Sequence, residues 1–186
     1  DDQWYENWND KSARVEDGNT RTLYIKQIAN NTTCLIFANK SGLTLSGISF
    51  EDAIWARAAL LLDGSKVMID NCVFTHNWAS PDYFGASCIA TMNKCELNIE
   101  KSLFTENVAG GALIGVGYRQ NEETECKITI NNTNFIDNLF DNCYALLSTH
   151  GLSKITKFNL SIDKCTFFRN RAVETFSGGI VDFGCG

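Results

Sequence analysis

The sequence predicts an all-β fold: a right-handed single-stranded parallel β-helix of about six coils, with three short strands per coil. The first basis is a motif that occurs five times and aligns on one phenylalanine. Successive copies of this phenylalanine are 24, 30, 31 and 32 residues apart, and a repeat of this length indicates a solenoid. The hand follows the general rule for parallel crossovers. The phenylalanines expected to stack in the core are Phe50, Phe74, Phe104, Phe135 and Phe167.

The second basis is the alternation of apolar residues within each copy. In the third copy Leu97, Ile99 and then Phe104 are apolar, and the polar pair Glu100-Lys101 separates them. Alternation with period two is typical of strands with one face inward, and the polar pair predicts a bend between two strands. A third strand is expected in the small and aliphatic segment that follows each copy. These segments are 58–62, 85–89, 110–114, 144–147 and 178–181.

The third basis is an asparagine three residues after the phenylalanine. An asparagine at a bend can hydrogen-bond both its own turn and the amide of the neighbouring coil, so we predict a structural ladder of stacked asparagines. The first copy has Ala53 at this position. The ladder residues are Asn77, Asn107, Asn138 and Asn170.

The repeat resembles that of the chlamydial polymorphic membrane proteins, which combines Phe-x-x-Asn with Gly-Gly-Ala-aliphatic. The matching segments are FTHN at Phe74, FTEN at Phe104, FIDN at Phe135, FFRN at Phe167, GGAL at Gly110 and SGGI at Ser177. The resemblance covers roughly residues 43–181. It implies the right-handed β-helix class that also includes the pectate lyases, and a surface-exposed domain with an adhesive role.

The repeats divide the chain into two parts. Residues 1–21 are acidic and aromatic without a period, and we expect Trp4, Tyr5 and Trp8 to form an end cap or an arm between subunits. Residues 22–186 are predicted to form the β-helix domain.

Composition narrows the function classes. The chain has 186 residues and a net charge of −6, which argues against nucleic acid as a partner. No apolar run approaches the ~20 residues of a membrane helix. Eight cysteines and several Asn-x-Ser/Thr sequons predict a secreted or cell-surface glycoprotein. The predicted glycosylation sites are Asn30, Asn31, Asn39, Asn131 and Asn159.

The cysteines follow the repeat in part. Cys95 and Cys126 both lie nine residues before their phenylalanine, in adjacent copies, so we predict a disulfide between them. Cys72 and Cys165 lie two residues before theirs and are expected to be buried thiols. No CxxC pair occurs, and neither a metal site nor a cofactor is expected. The cysteines without an assigned partner are Cys34, Cys88, Cys143 and Cys185.

An exposed column of mixed charge lies two residues after each phenylalanine. Its members are Asp52, His76, Glu106, Asp137 and Arg169. Glu106 and Asp137 are expected on adjacent coils, where paired carboxylates can hold a cation or share a proton. We interpret the column as a solvated edge and assign no catalytic residue.

The sequence therefore predicts a secreted or cell-surface structural or adhesive module. The expected partners are further copies of the chain, stacked head to tail in a filament or surface array, and a carbohydrate or cell-surface ligand. The alternative is a polysaccharide-active enzyme, either a pectate-lyase-like lyase or a glycoside hydrolase. Acids and bases clustered along a groove on one sheet would distinguish the enzyme.

Overall fold

A computed structural model describes residues 15–16, 22–26, 34–53, 58–79, 86–116, 124–141, 145–149, 155–173 and 179–182. This part of the chain consists of strands and turns. In chain order the strands are β1 (Val15–Glu16), β2 (Thr22–Lys26), β3 (Ile36–Asn39), β4 (Gly42–Ser46), β5 (Ile48–Glu51), β6 (Leu60–Asp63), β7 (Lys66–Asp70), β8 (Val73–Thr75), β9 (Ala86–Met92), β10 (Cys95–Glu100), β11 (Leu103–Thr105), β12 (Val108–Ala109), β13 (Ala112–Gly115), β14 (Thr124–Asn131), β15 (Asn134–Ile136), β16 (Leu139–Asp141), β17 (Ala145–Ser148), β18 (Ile155–Asp163), β19 (Thr166–Phe168), β20 (Arg171–Val173) and β21 (Val181–Asp182).

The strands form four sheets that run along the stack. We name three of them after the residues typical of each. The Phe sheet is ordered β1-β2-β5-β8-β11-β15-β19, the Ile sheet β4-β7-β10-β14-β18, the Ala sheet β3-β6-β9-β13-β17-β21, and the short sheet β12-β16-β20. All pairs are parallel except β1 with β2, which lies at one margin of the Phe sheet. The predicted parallel β-helix is therefore confirmed.

The predicted core columns are confirmed by the register of the sheets. Phe104 pairs with Phe74 on one side and Phe135 on the other, and Ile99 lies between the corresponding isoleucines of its neighbours. The rings of Phe74 and Phe104 are stacked with centroids 4.6 Å apart, and both side chains are fully buried. Like residues at the spacing of adjacent strands can bury their whole surface against each other.

The short sheet is a difference from the sequence prediction. Its strands have only two or three residues each and lie between the Phe sheet and the Ala sheet. Strands of two or three residues are too short to show an alternation of apolar residues, so the sequence predicts a single strand after each asparagine where the structure has two.

The asparagine ladder is present and closes the corner after the Phe sheet, which we call the Asn corner. The Asn107 side-chain amide donates to Phe74 O at 2.9 Å and to Asn138 Oδ1 at 2.9 Å. In return Asn107 Oδ1 accepts hydrogen bonds from both the backbone N–H and the side chain of Asn77. In the first copy the backbone N–H of Ala53 donates to Asn77 Oδ1. The ladder thus pairs backbone groups that the bend removes from the sheets.

The Asn corner and the corner between the Ile and Phe sheets each contain one residue with positive φ in every described coil. At the corner between the Ile and Phe sheets this position includes Gly47 (φ 65°) and Lys101 (φ 48°), and it is the second residue of the polar pair that predicted the bend. A single left-handed residue turns the chain sharply, and asparagine and glycine adopt this conformation most readily. The members of this column are Gly47, Asn71, Lys101, Asn132 and Lys164.

A second ladder, which the sequence did not reveal, follows that left-handed residue. Ser102 Oγ donates to Glu100 O at 2.8 Å and accepts the backbone N–H of Cys72 at 3.2 Å. Cys72 Sγ donates in the same way to Asp70 O at 3.4 Å. The same column contains Thr133 and Cys165, whose side chains also donate to the carbonyl two residues earlier. Hydroxyl and thiol side chains therefore hydrogen-bond the backbone groups of this corner, as the asparagine side chains do at the Asn corner.

Candidate functional site

The column of mixed charge lies at the Asn corner, where all five residues have φ between 52° and 55°. His76 Nε2 lies 2.7 Å from Glu106 Oε2, and Arg169 lies 2.5 Å from Asp137 Oδ2. Glu106 and Asp137 are on adjacent coils as expected, but they do not share a ligand. Glu106 contacts His76 on the preceding coil, and Asp137 contacts Arg169 on the following coil. Four of the five side chains of the column therefore contact one another in pairs, and those of His76, Glu106 and Arg169 are more than half exposed, as the interpretation of a solvated edge requires.

The described residues form no group of three or more His, Cys, Asp or Glu side chains that could hold a metal ion. In the same ranges no helix is long and apolar enough to span a membrane.

The sequons occupy different environments. Asn39 and Asn159 are exposed, on β3 and β18, whereas Asn131 is half-buried at the end of β14. Asn30 and Asn31 lie outside the described residues. Glycosylation at all five positions stays a prediction.

Cys95 and Cys126 are direct neighbours in the register of β10 and β14, as the spacing predicted. Both are buried free thiols in the structure. Cys95 Sγ donates to Met92 O at 3.1 Å, and Cys126 Sγ donates to Asn93 O at 3.4 Å. Burial raises the pKa of the Cys95 thiol to about 11 and also raises the pKa of Cys126. The disulfide between them stays a prediction.

The remaining cysteines within the described residues are free thiols. Cys34 is half-buried and Cys88 is fully buried, and both are free. Cys72 and Cys165 belong to the second ladder, and Cys72 is buried as expected while Cys165 is partly exposed. Cys143 and Cys185 lie outside the described residues.

The outer face of the Ile sheet carries a groove at the corner with the Ala sheet. Its volume is about 390 Å³, and we call it the lysine groove because four lysines line it, one from each of four successive coils. Ser65, Cys95 and Cys126 contribute to the same groove. The lysines are Lys66, Lys94, Lys127 and Lys157.

Two rows of charge run along the lysine groove. In the first row Glu96 is bound by Lys66 at 3.1 Å and by Lys127 at 3.6 Å. The hydrogen bond from Lys66 lowers the pKa of Glu96. In the second row Lys94 lies 3.5 Å from Glu125, which pairs in register with Lys157. Each row therefore holds two lysines and one glutamate.

Sequence reasoning missed the lysine groove although part of the signal was visible. Lys66, Glu96 and Lys127 all lie eight residues before their phenylalanine, on the outer face of strands whose inner columns were recognised. Positive and negative side chains that alternate along one column indicate an ordinary solvent-exposed face. The excess of lysine appears only when the neighbouring row is placed beside it.

Comparison with known proteins identifies one family. Residues 17–185 match the family described as a right handed beta helix region. No curated protein and no solved structure matches the chain.

Proposed function

Because the chain belongs to the family of right-handed β-helix regions, we propose that it is a secreted or cell-surface structural module with an adhesive role. The observation that carries the proposal is the pairing of charges at the Asn corner. His76 contacts Glu106 and Arg169 contacts Asp137 at an exposed edge, which supports a structural role for these side chains in joining adjacent coils.

The proposal includes end-to-end self-association. Phe135 and Ile130 are fully buried, whereas Phe167 and Ile162 in the next coil of the same columns are only half-buried. Partly exposed strand edges are a template for further pairing, and a contact that does not close produces a filament. The strand β1 belongs to the N-terminal segment and pairs with β2 of its own chain, which favours a cap over an arm for that part.

Two measurements test the proposed function. The molar mass from light scattering over a hundredfold dilution series should rise with concentration, and deletion of residues 1–10 should change it if that segment bridges subunits. Incubation with polygalacturonate should give no ultraviolet absorbance from unsaturated products and no new reducing ends. A constant monomer mass contradicts self-association, and steady product formation would establish the enzyme instead.

A further inference from the structure

We propose that the lysine groove binds a linear acidic polysaccharide whose chain runs parallel to the axis of the β-helix. This inference rests on the proposed adhesive function and names the ligand class and the surface for it. The groove fits this class through three features: its local charge, the spacing of its lysines and its shape.

The local charge is the first feature. The lysine groove has four lysines against two glutamates, an excess of two positive charges in a chain whose net charge is −6. Glu96 is shared by Lys66 and Lys127, so it neutralises only one of them. In the second row Glu125 binds Lys94, and among the described residues Lys157 is in no ion pair. A positive groove on an acidic molecule concentrates anionic ligands at that face.

The spacing is the second feature. The four lysines come from β7, the turn before β10, β14 and β18, so each successive lysine is one coil further along the axis. Adjacent strands are about 4.8 Å apart, and three steps from Lys66 to Lys157 therefore span about 14 Å. Successive lysines alternate between the two rows, so within one row they are two coils, or about 10 Å, apart, and a linear polyanion lying between the rows would pass one lysine per coil.

The shape is the third feature. The groove is open along the coils and has a volume of about 390 Å³, within the range of sites that bind small molecules or short segments of polymers. Asn159 lies on the same face, next to Lys127 in the register, and a glycan at this sequon would cover part of the groove, so the binding test uses the unglycosylated protein. The described lining includes no aromatic side chain on which a nucleotide base could stack.

The ligand chemistry can come from sulfated or from carboxylated sugars, and the experiment separates the two. Unglycosylated protein with the full 186-residue sequence is titrated with heparin, polygalacturonate, neutral dextran and a single-stranded oligonucleotide by isothermal titration calorimetry at low and at 0.15 M ionic strength. We expect binding to heparin, to polygalacturonate or to both, weaker at the higher ionic strength, and none to dextran. Preferential binding of the oligonucleotide, or no binding of either acidic polysaccharide, would overturn the proposal.

Matched variants locate the site. The double variant Lys127→Gln/Lys157→Gln should raise Kd about tenfold, because each substitution removes one exposed charge contact. The control Lys101→Gln/Lys164→Gln changes the net charge equally, at the opposite margin of the Ile sheet, where each lysine lies beside its own acidic neighbour. It should leave Kd unchanged. Equal weakening in both double variants would show attraction to net charge alone and would overturn the proposal.

Glu96→Gln gives a result of opposite sign. The substitution frees Lys66 and Lys127 from their shared acid, and we expect Kd to fall about two- to threefold. Weaker binding in this variant would contradict the role of the groove. Circular dichroism checks that each variant is folded. The light-scattering measurement is independent of these titrations. If the protein self-associates but binds no acidic polysaccharide, the proposed ligand of the lysine groove is wrong and the proposed structural function still stands.

Discussion

At the scale of single residues, identical side chains stacked at the strand spacing hold this molecule together. Phe104 lies between Phe74 at 4.6 Å and Phe135 at 4.8 Å, with its ring nearly parallel to both. It therefore buries both faces of the ring against aromatic neighbours, and each neighbour depends on it for one of its own faces.

We expect Phe104→Ala to lower the free energy of unfolding by about 3–5 kcal/mol, because it leaves a cavity between two stacked rings. Phe168→Ala, at a side chain with 53% exposure, is the matched control and should change it by less than about 1 kcal/mol. Denaturant unfolding followed by circular dichroism measures both. An unchanged midpoint for Phe104→Ala would contradict the stacking of this column.

Asn107→Ala tests the ladder at the Asn corner. The substitution removes two donated and two accepted hydrogen bonds and leaves the buried backbone N–H of Asn77 without its acceptor. We expect a loss of about 1–3 kcal/mol. Asn98→Ala, on the outer face of β10, serves as the control in the same unfolding experiment and should change stability by less than about 0.5 kcal/mol.

At the scale of elements, the corners decide where each strand ends. The second ladder places Cys72, Ser102, Thr133 and Cys165 in one column, which makes the two cysteines equivalent to hydroxyl residues. We expect Cys72→Ser to alter the unfolding free energy by less than about 1 kcal/mol, since a hydroxyl keeps the donor to Asp70 O. Ser102→Ala should cost about 1–3 kcal/mol, because the buried N–H of Cys72 loses its acceptor. Equal losses for the two variants would mean that the column acts only through packing.

Cys95 and Cys126 join β10 to β14 if their predicted disulfide forms. Oxidation requires a thiolate, and burial holds the pKa of Cys95 near 11, so the folded reduced protein should oxidise slowly at pH 8. We expect the bond to form during oxidative folding instead. Peptide mapping without reduction after such folding should recover the linked pair. Two separately alkylated peptides would contradict the prediction.

The raised thiol pKa also sets a pH dependence for the reduced protein. Between the ordinary thiol pKa and about 11 the folded state holds a proton that the unfolded state has released. The contribution of Cys95 to stability is therefore complete below that window and is lost as the pH rises through it.

At the scale of the whole molecule, the parts that the sequence revealed are those that repeat along a single axis. The Phe and Ile columns recur at corresponding positions in each copy, the Asn column recurs in four of the five, and the polar pair marks each bend. The lysine groove combines rows from two positions, and the second ladder links Ser102 to Cys72 across 30 residues through different chemical groups. The short sheet has too few residues to show a period. These features depend on which side chains meet across coils, and alignment of one column at a time does not reveal them.

A solenoid in which each coil contacts only its neighbours should have a gradient of stability. The coil of β10 and β11 is buried on both sides, whereas the inward side chains of β19 are half-buried at most and those of β20 are exposed. We expect backbone amides in β19 and β20 to exchange with deuterium at least about tenfold faster than those in β10 and β11, because opening one coil at the margin exposes little core. Hydrogen exchange with mass spectrometry measures this directly. Phe104→Ala should then accelerate exchange in β11 and in its partners β8 and β15, while Phe168→Ala should not. Uniform protection from β4 to β20 would mean that the molecule opens as one cooperative unit, and the nearest-neighbour description would be wrong.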